Sequence, residues 1–265
     1  VYCFRAAKQL GRDENTAILY AVFAVVCSNY FFISGCDWVW FIAQNLCFML
    51  LTAAVYYAIA GKGGVCFAAW ACAVGCRPLS IVYLPFLIVL CSSYSKMNKN
   101  TFAFKLFKWS VFPVIMGLSY MLLNFLRFGN PIEFGHNYLP EFLEAPNGQF
   151  SVRYAFDNAK TLIRLPYVSG GVIKFPEFDG MNMFLASPIF LFAVYTFIKG
   201  FARLDRTVIT AFFVLFAELF FILCHKTMGG WHYGNRYTID LLPIAFYVFS
   251  KYSEKTNALM YAGMI

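Results

Sequence analysis

Hydrophobic runs of roughly 20 residues alternate with short polar joints along the whole chain, and Lys and Arg gather in every second joint. A run of that length matches the ~30 Å hydrocarbon core of a bilayer at ~1.5 Å of rise per helical residue. The pattern predicts an all-α, polytopic transmembrane helix bundle, with spans over residues 16–34, 38–60, 107–126, 181–198, 207–224 and 238–250. The stretch 65–92 begins and ends beside joints of the same basic character, which a single span cannot do. A pair of short helices turning at Gly75-Cys76-Arg77-Pro78 resolves the conflict. Pro78 lacks an amide donor and disfavours helix in the residue before it. A single tilted span with one misread joint is the alternative.

Charge then orients the spans, because short Lys/Arg-rich joints stay on the cytoplasmic side. Arg5, Lys8 and Arg12 mark that side, followed by Lys62, by Lys96, Lys99, Lys105 and Lys108, by Lys199, Arg203 and Arg206, and by Lys251 and Lys255. Segments 127–180 and 225–237 fall on the opposite, external side. The whole of 1–265 reads as one transmembrane domain of a multi-pass cell-membrane protein. Within the first external segment, 150–165 has the pattern of an interfacial amphipathic helix. Val152, Phe156, Ala159 and Ile163 share one face, and Arg153, Asp157, Lys160 and Arg164 another. It would serve as a lid over a groove or as a passive surface helix. The chain opens at Val1 and stops inside an apolar run from Asn257, so it reads as a fragment lacking an N-terminal part.

Composition narrows the class. The chain is 61% hydrophobic, 20% aromatic and 13% charged, against ~25% charged in a soluble domain. The net charge of +8 is confined to the joints, with no basic stripe of interleaved aromatics, which argues against nucleic-acid binding. The nine cysteines lie mostly in or beside spans without metal spacing, and read as small apolar residues. No metal site or other cofactor is indicated.

A few polar groups stand out against this background. Arg77 sits at a Pro-broken turn, where a guanidinium could grip a phosphate or pair with Asp37. Asp37 heads the second span, as a helix cap or as a group that orients a substrate hydroxyl. Glu218 is buried in an apolar span and is expected to be protonated or hydrogen-bonded. In 225–240, Trp231, His232, Arg236 and Tyr237 suit sugar or phosphate recognition. Arg236 and Asp240, four apart, could instead pair along a helix.

Together these residues resemble the multi-span GT-C-type glycosyltransferases, such as the protein O-mannosyltransferases and the lipid A aminoarabinose transferases. The carrying motifs are Ala73-Val74-Gly75-Cys76-Arg77-Pro78, the run from Arg127 to Pro131, and the run from Gly229 to Pro243, where Asn235 replaces a Pro. The resemblance implies transfer of a sugar from a polyprenyl-phosphate carrier to an acceptor at the outer face of a bacterial cytoplasmic membrane. It implies Arg77, Asp37, Trp231, His232, Arg236 and Tyr237 as substrate-binding residues. It also implies a general base upstream of Val1, so that the fragment alone would be inactive, with Asp37 the one catalytic candidate within it. The rival class is a polytopic transporter or lipid flippase. A third reading is a structural membrane subunit.

Overall fold

The computed structural model describes residues 1–95 and 97–253, so Lys96, Lys255 and the apolar run from Asn257 lie outside the described residues. The described chain is mostly helical, as expected. It begins with α1 (Tyr2–Gln9), α2 (Glu14–Val26), α3 (Tyr30–Ser34) and α4 (Val39–Ile59). The expected hairpin follows as α5 (Gly63–Cys76), a tight 3-10 segment Pro78–Tyr83 and α6 (Leu84–Tyr94). Next come α7 (Lys99–Phe128), α8 (Pro140–Leu143), α9 (Ala155–Ile163) and two short strands, β1 (Tyr167–Ser169) and β2 (Val172–Lys174). The chain continues through α10 (Met183–Ala186), α11 (Ile189–Ala202) and α12 (Arg206–Cys224). A second 3-10 segment, Arg236–Leu241, leads into α13 (Leu242–Tyr252).

Local chemistry sets these limits. Asp13 caps α2 by accepting the Thr16 amide at 3.0 Å, Asn98 caps α7 through the Thr101 amide at 2.8 Å, and Asp205 caps α12 through the Thr207 amide at 2.9 Å. Each satisfies a donor that the first helical turn leaves open. Gly129, at φ +69, stops α7 in the left-handed conformation that glycine adopts without strain.

Three helices are long and apolar enough to cross a membrane: α4, α7 and α12. The other expected spans are shorter or broken. The first, 16–34, is interrupted between α2 and α3, where Asn29 leaves the helix to bond elsewhere. Its amide donates to Ser187 Oγ at 3.0 Å, and its side-chain Nδ2 donates to the Asn235 carbonyl at 2.5 Å. The span 181–198 is likewise broken, between α10 and α11, at Ser187-Pro188. The span 107–126 is longer than expected, as α7.

The hairpin turns where the sequence predicted. Arg77 is extended, at φ −145° and ψ 104°, between α5 and the segment Pro78–Tyr83. The first arm lies along α7. A side chain at Gly63 would collide with Trp109, and one at Gly75 with Tyr120, so glycine lets the two helices touch.

Side-chain contacts gather the helix ends into two groups. At one, Arg12 donates to the Ser250 and Lys251 carbonyls, Tyr94 contacts Tyr247, and Asp205 meets Lys251 and Tyr252. At the other, Arg77 meets Asp240. Here the segments 127–180 and 225–237 hydrogen-bond to each other, as between Lys226 and Gln149 and between Asp179 and Gly230.

The region around α9 departs from expectation. The helix starts at Ala155 rather than near Phe150, which instead bridges to His225. It packs on the end of α12 through Leu162 and through Asn158, whose Nδ2 donates to the Leu223 and His225 carbonyls at 2.7 Å each. The apolar face read from the sequence, with Val152, Phe156 and Ile163, is left exposed. The antiparallel pair β1–β2, joined by Gly170-Gly171 at φ +63 and +76, was not anticipated. Two positive-φ glycines are what a two-residue hairpin turn requires.

Candidate functional site

The site is built at the end of the bundle opposite Lys251, starting from the 3-10 segment Arg236–Leu241. Asn235 anchors this segment. Its Oδ1 accepts the Tyr237 amide at 3.0 Å, and its Nδ2 donates to the Asp179 and Met228 carbonyls at 3.0 Å each. Gly229 lies alongside at φ +107, and a Cβ there would come within 2.7 Å of Arg236 Nε. Glycine therefore makes room for the arginine.

Arg77 and Asp240 form the centre. Arg77 Nε donates to Asp240 Oδ2 at 2.7 Å. Gln44 donates to the other carboxylate oxygen, and the Tyr83 hydroxyl donates to the Asp240 backbone carbonyl. Arg77 thus pairs with Asp240 and not with Asp37. Asp240 and Arg236 do not pair along a helix either. A 3-10 segment repeats every ~3 residues, which turns position 240 away from 236.

Arg236 is 8% exposed, and its Nε has no hydrogen-bond partner among the described residues. Its polar contact is a long one, 3.5 Å, to the Tyr237 hydroxyl. Otherwise it lies over rings, 5.4 Å from the Phe41 centroid and 5.0 Å from that of Tyr237. Arg77 stands over the same Tyr237 ring, also at 5.0 Å. Two guanidiniums therefore share one aromatic ring, and only Arg77 bonds the Asp240 carboxylate.

Histidines rim this centre. His225 meets Tyr237 edge to face at 5.5 Å, and its Nδ1–H donates to the Thr227 carbonyl at 2.7 Å. Burial pushes its pKa down to about 4. His232 is buried with neither ring nitrogen hydrogen-bonded to a side chain, and burial, reinforced by the charge of Arg236, also brings it to about 4. Both rings are neutral near pH 7.

On the other side of Phe41 lies an open cavity of about 1000 Å³. Asp37, Trp231 and His232 line it, with Glu177, Trp38 and Tyr233. Asp37 is exposed and does not cap α4, whose cap position is Trp38. The six residues read from the sequence thus fall into two neighbouring groups. Asp37, Trp231 and His232 face the cavity, while Arg77, Arg236 and Tyr237 form the cation cluster, and Phe41 touches both. A second, apolar cavity of about 350 Å³ lies between the hairpin and α7, lined by residues such as Trp70, Ile81, Ile88 and Pro113.

Gln44, Tyr83, Phe41 and His225 belong to the site but were not read from the sequence. Gln44 carried the usable signal, an amide within an apolar span. Glu218 in α12 is fully buried, and neither carboxyl oxygen has a hydrogen-bond partner among the described residues. Of the two roles expected for it, protonated or hydrogen-bonded, the second finds no partner among the described residues. No family model, curated protein or solved structure matches the chain.

Proposed function

We propose that the chain is part of a multi-pass membrane glycosyltransferase that moves a sugar from a polyprenyl-phosphate carrier to an acceptor at the outer face. The observation that carries this reading is Arg236, buried beside Arg77 with its Nε unpartnered, so that two cations face one carboxylate. An uncompensated buried charge costs several kcal/mol, about what a bound anion would return. Two planar forks around one ring suit a phosphate, which accepts bidentately. The apolar cavity beside the hairpin suits an isoprenoid tail, and the aromatic cavity with Asp37 and Glu177 suits a sugar ring with hydroxyls.

In this scheme the acceptor hydroxyl attacks the anomeric carbon while a carboxylate takes its proton. The bond from that carbon to the phosphate oxygen breaks, and the oxygen leaves with the electron pair. Arg77 and Arg236 stabilise the charge that grows on it. Asp37 orients a hydroxyl.

The test is turnover of a polyprenyl-phosphate sugar by the intact protein. Arg77→Ala is expected to lower it by ~10²–10³, as loss of one oxyanion-type donor does. Arg77→Lys should recover part, since Lys lacks the fork. Folded Arg77→Ala protein turning over at the wild-type rate would refute the assignment.

Transport is the second reading, and one observation favours it. Two broken helices, α2–α3 and α10–α11, meet at their breaks through Asn29 and Ser187. Discontinuous helices of this kind build transporter sites. Exchange of labelled substrate across proteoliposomes without sugar transfer would support transport over transfer.

A further inference from the structure

We propose that the β1–β2 hairpin and the outer face of α9 insert into the outer lipid leaflet and form a membrane anchor beside the aromatic cavity. The inference rests on the reading that the long apolar helices span a bilayer, and not on the transfer chemistry.

The hairpin is apolar on both faces. Pairing sets Val168 opposite Ile173, Tyr167 opposite Lys174 and Ser169 opposite Val172. Alternation along each strand puts Val168 and Ile173 on one face, and Tyr167 and Val172 with Ser169 and Lys174 on the other. Yet all four apolar residues are exposed, Val168 at 73% and Ile173 at 63%. A single protein surface can cover one face of a two-stranded ribbon. A medium that surrounds the ribbon covers both, and a bilayer leaflet is such a medium.

Three further observations point the same way. Val152, Phe156 and Ile163, on and just before α9, are exposed on the same stretch of chain, and Leu165 continues them to the hairpin. The α9 helix is packed on the end of α12, a helix of membrane-crossing length whose Phe213, Phe216 and Phe220 are also exposed. The α9 surface therefore sits at the end of a helix that itself exposes apolar side chains. Lys160 lies 4.1 Å from the Phe156 ring, and Lys174 ends β2 beside Tyr167. Cations at the edge of an apolar patch complement anionic headgroups while their stems lie along lipid.

The anchor is tied to the cavity. Arg164, between α9 and β1, donates to the Phe178 and Gly180 carbonyls at 2.5 and 2.6 Å. Phe175, just after β2, lines the cavity and meets Tyr233 edge to face at 6.2 Å. A hairpin seated in the leaflet would hold the cavity mouth at the lipid surface.

The experiment is photo-crosslinking in proteoliposomes of phosphatidylethanolamine and phosphatidylglycerol. A benzophenone amino acid is placed at Val168, at Ile173 and, as control, at exposed Glu144. Mass spectrometry of the irradiated protein should find phospholipid adducts at Val168 and Ile173, at least about tenfold above Glu144. Chain-to-chain adducts at Val168 would assign the hairpin to a second copy and overturn the proposal, as would lipid adducts no more frequent than at Glu144. The readout needs no substrate, so a failed transfer assay leaves it intact, and its own failure leaves the transfer reading intact.

Discussion

Where the Lys- and Arg-rich joints meet, Asp205 accepts Lys251 Nζ at 2.5 Å, the Tyr252 hydroxyl at 2.5 Å and the Thr207 hydroxyl at 2.7 Å. Lys251 spends its other donors on Thr207 Oγ at 3.0 Å and the Tyr247 hydroxyl at 3.2 Å. At the opposite end, Asp240 neutralises Arg77, and Arg236 is left against aromatic rings with Nε unpartnered. One end closes its buried acid within the fold, and the other carries an excess cation into a buried place. A chain under selection for stability alone would lose that cation, because a well-packed apolar side chain there costs less. The imbalance is therefore the better guide to function than the number of charges at either end.

The comparison can be broken most sharply at Asp240. Asp240→Asn leaves Arg77 without its counterion and should cost about 3–5 kcal/mol, the range for breaking a buried pair from one side. Thermal unfolding in detergent measures this, and an unchanged midpoint would show that Asp240 is not the charge anchor.

Acid should separate the two ends. His225 and His232 have folded pKa values near 4, below the ~6.5 of an unfolded histidine. Their depressed values mean that the unfolded chain binds protons first. The stability is fully present above ~6.5 and is lost as pH falls from there to about 4, by up to ~3 kcal/mol for each ring. His225→Gln should flatten that part of the profile. A midpoint constant between pH 6.5 and 4 would contradict the burial of both rings.

At the closed end, burial raises the Asp205 pKa, but the bonds from Lys251, Tyr252 and Thr207 outweigh it and bring the group to about 2. Its contribution is therefore present above the unfolded value of ~3.9 and is lost as pH falls toward 2. Asp205→Asn should cost about 2 kcal/mol at neutral pH and remove the acid-side loss below pH ~4. The smallest expected effect is the most telling. Arg236→Met should leave stability within ~1 kcal/mol of wild type or raise it, while Lys251→Met should lower it. Equal destabilisation by the two would erase the difference between the ends.

Much of this was legible in the sequence, and the failures have physical causes. The hairpin turn at Arg77 was readable because Pro78 acts on its own neighbours. The limits of α4 and α12 were readable because length and apolar content are local properties. The breaks at Asn29 and Ser187 were not, because those side chains trade local helix for partners more than 150 residues away in the chain. The alternative that Arg77 pairs with Asp37 failed for the same reason. Asp37 is the acid nearer in sequence, but Asp240 is the one the fold delivers, with Gln44 and Tyr83 holding it from two other elements.

Two helices mark where sequence ends and tertiary structure begins. Both α7 and α13 are apolar, and the sequence by itself determined that each would be a helix averse to water. Within α7, only Asn124 is buried by the rest of the described chain, whereas Leu242 to Ser250 of α13 are buried without interruption. Hydropathy records aversion to water and is blind to whether protein or lipid replaces it. That choice, like the choice of which arginine keeps a carboxylate, depends on which elements surround the residue. Only the packing of distant segments could make it.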